Sequence, residues 1–318
     1  MRRLLTRIAD IGLVLLPVVL FAGAVAVYLT LVGLREIVPP KTLTMAAGRP
    51  GGAYDAYAQQ YRSILARDGI TLEVLDTAGS MENSRLLARG AADVALIQGG
   101  VPVSDAIGAE ALAAVSLEPF FIFHQAGREG AADPASWRDL RVAAGEPGSG
   151  TRMALNALIR GLDLKLDQDR FLPLGGADAA QALRSGAADV AIFVAPIDAP
   201  YLAPLLNDPD IDIDSLRDTG ALSRRVPFVR AVDIPAAGID YANRVPPEDV
   251  PLTAMIATLA TRGDLHPALV NRMVRAAQEV HSGPVLLSDT LEFPSAEGAS
   301  LPMNPQAREA LVTPPGLT

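Results

Sequence analysis

The sequence predicts an α/β protein of two similar lobes joined by a hinge and preceded by one N-terminal transmembrane helix. Two observations carry this. Gly48-Arg49-Pro50-Gly51-Gly52 returns 97 positions later as Gly145-Glu146-Pro147-Gly148-Ser149-Gly150, and Gly90-Ala91-Ala92-Asp93-Val94-Ala95 returns unchanged 96 positions later as Gly186-Ala187-Ala188-Asp189-Val190-Ala191. Two motifs repeated at nearly one offset imply two lobes of the same build, each with a glycine turn after its first strand. The second observation is the run Ile11 to Leu34, 24 residues without a charge. About 20 apolar residues suffice to span a bilayer as a helix.

Arg2, Arg3 and Arg7 precede that run, which places the N-terminus in the cytoplasm and the body outside it. Ala24-Val25-Ala26 fits a signal-peptidase site, but apolar sequence continues through Val27, Leu29, Leu31 and Leu34, which favours a retained anchor in the inner membrane. Either version exports the body to the periplasm or its equivalent. Pro39-Pro40 then forms a stiff spacer.

In the first lobe, over 35–124, Thr42 to Ala46 alternates as a strand. The glycine turn follows, then a helix with Tyr54, Tyr57, Ala58, Tyr61, Ile64 and Leu65 at helical spacing. Ile70 to Leu75 reads as a strand; Gly79-Ser80 precedes a helix running to Ala88, with Ser80 as its cap, Asn83 in its first turn and Gly90 ending it; Val94 to Ile97 reads as a buried strand leading into Gln98. This order argues for a parallel sheet covered on both faces. Residues 113–125 are apolar enough to be strands crossing between lobes. The series repeats over 125–225: strand Leu140 to Ala144, glycine turn, helix Thr151 to Arg160, strand near Phe171-Leu172, helix Ala177 to Arg184 and strand Val190 to Val194. A short helix over 198–206 and an acidic loop over 207–218 close the lobe. Segment 226–281 rejoins the first lobe through a strand near Pro251 to Leu259 and a surface helix from His266-Pro267 to His281. From Ser282 the tail carries six prolines in 37 residues and is expected as coil or disorder.

Composition removes several classes of function. The formal charge is −9; residues 1–35 contribute +3, leaving −12 for the body, which has no dense basic stripe for nucleic acid. Without cysteine there is no disulfide, thiolate metal site or cysteine nucleophile. His124, His266 and His281 show no metal-ligand spacing, and no P-loop, dinucleotide fingerprint or Gly-x-Ser-x-Gly elbow occurs. No cofactor, metal or catalytic residue is expected. Asp93 and Asp189 look like paired carboxylates, but both fall between helix end and strand start, at the far end of the strand from the glycine turns.

Ligands of open parallel sheets collect beyond the carboxyl ends of the strands, where glycine turns expose backbone N–H groups and helix starts carry partial positive charge. Gly51, Gly52 and Tyr54 would face Ser149, Gly150 and Thr151 across a cleft suited to a carboxylate. Ser80, Asn83 and Gln98 sit at the same level. Each has a plainer reading: tight-turn glycines, a serine helix cap, a solvated strand end.

In that order these residues resemble the TAXI group of solute receptors of TRAP transport systems. The marks are Gly51-Gly52-x-Tyr54, Thr77-x-Gly79-Ser80-x-x-Asn83, Leu87-x-x-Gly90-x-x-Asp93 leading into Gln98, Gly148-Ser149-Gly150-Thr151, and Ile234-Pro235-Ala236-Ala237-Gly238. The resemblance runs from about residue 41 to 281. It implies a two-lobed periplasmic-binding-protein-like fold and capture of a small organic anion, of the amino acid or dicarboxylate class, for a TRAP-type membrane permease. It also implies that Tyr54, Ser80, Asn83, Gln98, Ser149 and Thr151 approach the ligand. Arg49 and Pro50 stand where small polar residues are usual. Arg49 reads equally as a carboxylate clamp or an exposed side chain, and Asp55 beside an anion site would oppose binding. A membrane-tethered sensory or accessory module without high-affinity ligand is the alternative function.

Overall fold

The computed structural model describes residues 20–25, 27–28, 39–103, 108–128, 130–161, 163–216, 218–226 and 228–312. Apart from helical residues 20–25 and 27–28, the anchor expected over 11–34 lies outside the described residues, and no described helix is long and apolar enough to cross a membrane. Lys41–Thr318 forms one unit.

The first lobe opens with β1 (Thr42–Ala46), α1 (Ala53–Arg67), β2 (Thr71–Leu75), α2 (Ser80–Ala88) and β3 (Val94–Ile97). β1 lies parallel between β2 and β3. Helix α1 forms because Tyr57, Ala58, Tyr61 and Leu65 recur at helical spacing and bury one stripe. Burying each large side chain of that stripe contributes roughly 1.5–3 kcal/mol.

A single 16-residue strand, β4 (Glu110–Gln125), then runs through both lobes. Its first part pairs antiparallel with β9 (Val250–Thr261), and its second part with β6 (Val190–Val194) and β7 (Ile211–Asp214). Partners change at Pro119-Phe120, since Pro119 has no N–H to donate to a continuing ladder. The second lobe adds β5 (Val142–Ala143), α3 (Gly150–Gly161), α4 (Gly176–Arg184) and the short α5 (Ala203–Leu206), followed by α6 (Thr219–Arg225) and β8 (Arg230–Ile234), which pairs with the start of β9. Among the described residues the sheet order is β2-β1-β3-β9-β4-β6-β5, with β7 on β4 and β8 on β9.

Apolar side chains fill both faces of each half. One core holds Tyr61, Leu65, Leu96 and Met273, and the opposite face holds Leu86, Leu87 and Ile97. In the second lobe Leu155, Leu158 and Ile192 pack on one side and Phe121, Phe193 and Leu183 on the other.

Several elements differ from the sequence reading. The 207–218 stretch is not all loop: Ile211-Asp212-Ile213-Asp214 alternates and forms β7 on β4. Only an isolated bridge, Ala143 to Leu172, stands where a strand near Phe171 was expected. Helix α7 (Pro267–His281) is the expected surface helix, exposing Arg272 and Glu279 and burying Leu269, Val270, Met273, Val274 and Ala277 on one face; His281 is buried at its end rather than exposed. The tail is built into the fold, with Ser295 bridging Ala114, Met303 bridging Ala111, and a helix α8 (Pro305–Val312) at its end.

Candidate functional site

The two glycine turns fold alike because their backbones need the same left-handed residue. Gly51 has φ 76° and Gly148 φ 87°, a conformation open to glycine at little steric cost. Asp93 and Asp189 also share one role away from the turns. Asp93 accepts the Thr44 N–H at 2.9 Å in the middle of β1, and Asp189 the Arg141 N–H at 2.9 Å just before β5, each pinning a neighbouring strand.

The turns converge on a cavity of about 710 Å³ at the carboxyl ends of the parallel strands. Helix starts of α1, α2, α3 and α4 all reach its wall, at Ala53, Ser80, Gly150 and Gly176. The first N–H groups of a helix have no intrahelical acceptor, so four sets of donors meet there.

Of the sequence-predicted residues, Gly51, Gly52, Tyr54, Ser80, Gln98, Ser149, Gly150 and Thr151 line this cavity. The Ser149 Oγ accepts the Arg152 N–H at 3.2 Å, capping α3, and the Thr151 Oγ1 accepts the Val194 N–H at 3.1 Å. With a lone pair used in each case, both hydroxyl hydrogens remain to donate. Ser80 Oγ similarly accepts the Gln98 N–H at 3.0 Å. Gln98 spans the cleft: its Nε2 donates to Gly150 O at 3.1 Å and to the Met255 sulfur at 3.3 Å. A Cβ at Gly150 would overlap Gln98 Oε1, so glycine permits this approach.

Asn83 is not brought to the cavity. It is fully buried, its Nδ2 donating to Ala47 O at 2.6 Å and Leu96 O at 2.8 Å and its Oδ1 accepting from Thr77 Oγ1 at 2.6 Å. Three residues after Ser80, it faces the sheet and ties β1 to β3. Arg49 is ion-paired across the cleft with Glu146 at the mouth. Asp55 does not line the cavity; it accepts the Gly51 N–H at 2.8 Å and a Gln59 amide hydrogen at 2.7 Å.

Glu118 is the residue the sequence reading passed over. It lies on β4 opposite Met255, where the chain crosses between lobes, is 2% exposed and lines the cavity. Burial pushes its carboxyl up to about 8, with the nearby Tyr54 hydroxyl pulling the other way. Neither Tyr54 Oη nor Glu118 Oε2 completes a hydrogen bond within the described protein. The available signal was a lone acid in the uncharged stretch Ala111 to Gln125, since buried acids are rare unless paired. Among the described lining residues Asp76, Glu82, Glu118, Glu146 and Asp178 stand against one cation, Arg49.

The family model described as NMT1-like family matches residues 45–283, a span that holds both glycine turns, both crossing strands and the whole cavity wall. The chain belongs to the NMT1-like family. No curated protein matches this NMT1-like chain. Solved structures similar to it include a protein of Bordetella bronchiseptica, 18% identical over 86% of this chain and 89% of that one, with a TM-score of 0.47. Corynebacterium glutamicum OxyR in a hydrogen peroxide-bound form is 15% identical over 81% and 72%, with a TM-score of 0.48. Tv2483 bound to L-arginine is 14% identical over 75% and 84%, with a TM-score of 0.44.

Proposed function

We propose that this NMT1-like protein is an extracytoplasmic solute-binding protein, tethered to the inner membrane by its N-terminal segment. It captures a small carboxylate-bearing metabolite between its lobes for a TRAP-type permease. The observation that carries the reading is the 710 Å³ cavity walled by both halves, with four helix starts and the Ser149 and Thr151 hydroxyls directed to it. Those donors suit a carboxylate. The protein does no bond chemistry on the solute; hinge closure around it is its work. Tethering raises the local concentration of loaded protein beside a permease.

Native mass spectrometry of the purified chain for a co-purifying small molecule, followed by calorimetric titration with amino acids and dicarboxylates, tests this. Saturable micromolar binding supports the receptor. Silence across the panel favours the sensory or accessory module, and turnover of a bound compound identifies an enzyme.

A further inference from the structure

We propose that Glu118 selects the solute by accepting a protonated nitrogen, an ammonium or amidinium, from a ligand whose carboxylate is held at the helix starts. The inference rests on the solute-binding reading above and narrows it, because it excludes simple dicarboxylates.

Glu118 is 2% exposed and borders the cavity; among the described residues its Oε2 completes no hydrogen bond, and the Tyr54 hydroxyl beside it, close enough to pull its pKa down, stops short of bonding geometry. Ionising a buried carboxyl with no cation beside it is costly, and a ligand cation that pairs with the carboxylate offsets that cost. Among the described lining residues none offers Glu118 a free cation. Arg49, the one base among the described lining residues, is engaged by Glu146 at the mouth. Glu82 is spent on the Ala78 N–H at 2.7 Å, whereas Glu118 keeps an acceptor free. Tyr54 and Tyr201 line the cavity within electrostatic reach of Glu118, and phenol faces attract cations. A second ligand carboxylate at this end would meet Glu118 with no cation between them; an ammonium would meet its complement.

The pairing has a proton balance. Burial keeps Glu118 protonated at neutral pH, its pKa raised to about 8. The titratable groups around it are Tyr54 and Tyr57 from α1 and Asp198 and Tyr201 from the segment after β6, with Met255 opposite on β9; none is a cation. When an ammonium arrives, the Glu118 O–H releases its proton to solvent and the carboxylate accepts the N–H of the ligand. Binding therefore tightens about ninefold from pH 6 to 7 and about fivefold more from pH 7 to 8, and releases about 0.9 proton per solute at pH 7. A nitrogen-free acid would instead use Glu118 as donor and weaken above pH 8.

The test is calorimetric titration of the full chain with matched pairs: succinate and aspartate, glutarate and glutamate, 3-phenylpropanoate and phenylalanine, 4-methylpentanoate and leucine. Titrations run from pH 6 to 9 in two buffers of different ionisation heat. The expected result is binding confined to amino members, with proton release and the stated pH slope, and at least tenfold weaker, pH-flat binding in Glu118→Gln. The proton count on the unaltered protein decides the matter should the variant misfold. Binding confined to nitrogen-free acids, or amino members bound without proton release, overturns the role of Glu118 and leaves the solute-binding reading standing. No binding by any member overturns that reading and this inference with it.

Discussion

His281 gives a prediction that needs no ligand. It ends α7 at 8% exposure, with Nε2 2.9 Å from the Tyr61 hydroxyl and the Tyr57 ring edge-on at 4.7 Å. Burial pushes its pKa down to about 3, whereas an unfolded histidine titrates near 6.5. Between those values the unfolded chain holds a proton that the folded one refuses, so stability falls on acidification, by up to about 1.4 kcal/mol per pH unit. Integrated from neutrality to pH 5, the loss is about 2 kcal/mol. Substituting His281→Gln removes the titration and keeps a side chain able to bond Tyr61, at a cost of about 1 kcal/mol in hydrogen bonding and packing. Urea unfolding followed by fluorescence of Trp137 should show the variant weaker at pH 7.5 and level with or above the parent at pH 5. His124 acts oppositely: burial lowers its pKa, but Asp214 and the Gln125 carbonyl outweigh that and raise it, so its contribution is present at low pH and lost as pH rises. It is common to both proteins and cancels in the difference. Parallel stability curves from pH 7.5 to 4.5 would refute the argument.

Replacing Asn83→Ala should cost about 3 kcal/mol in urea melts, because it strands two buried carbonyls and the Thr77 hydroxyl, while leaving the ranking of bound solutes unchanged. Gly150→Ala should displace the Gln98 amide and weaken solute binding about tenfold in calorimetry, and adding Gln98→Ala should recover part of it; strictly additive losses would show that the two residues do not couple. Asp189 is depressed to about 2 chiefly by its hydrogen bonds to Arg141, so its contribution is full above about pH 4 and disappears as pH falls towards 2. The stability deficit of Asp189→Asn in urea titrations should therefore be constant from pH 7 to 5 and shrink below pH 4.

The sequence disclosed the repeated parts because repetition reports backbone geometry directly. Gly51 and Gly148 share a left-handed φ, as do Gly90 at 69° and Gly186 at 72°. What stayed hidden was set by contacts between distant segments. Ile211-Asp212-Ile213-Asp214 has the alternation of a strand, but its charges read as loop until β4 supplies a partner. β4 looked like separate pieces because Glu118-Pro119 interrupts its apolar run, and that interruption marks both the change of partner and the polar group of the cavity. Asn83 was drawn to the site by its place near a helix start, yet it lies one turn further along the same face as Ser80, too deep for the cavity, where Ala47 O and Leu96 O take up its amide.

The links across the cleft bear on how the lobes work. Gln98 to Gly150 is one neutral hydrogen bond, worth about 1 kcal/mol, and Arg49 to Glu146 is an ion pair at the mouth with Arg49 61% exposed, worth about 0–1 kcal/mol. Together these two contribute up to about 2 kcal/mol, roughly a thirtyfold bias, and the Tyr57 hydroxyl adds a third link between the lobes by donating to Asp198 Oδ1 at 3.1 Å. The long strands β4 and β9 join the lobes, paired antiparallel with register shifts between Ala111 and Ala113 and between Ala114 and Ser116, and on the proposed reading they are where the lobes would flex. On that reading, closure is then decided by what fills the cavity. The group best placed to register the occupant is Glu118, which lies on the crossing strand itself and joins the cavity wall to the hinge.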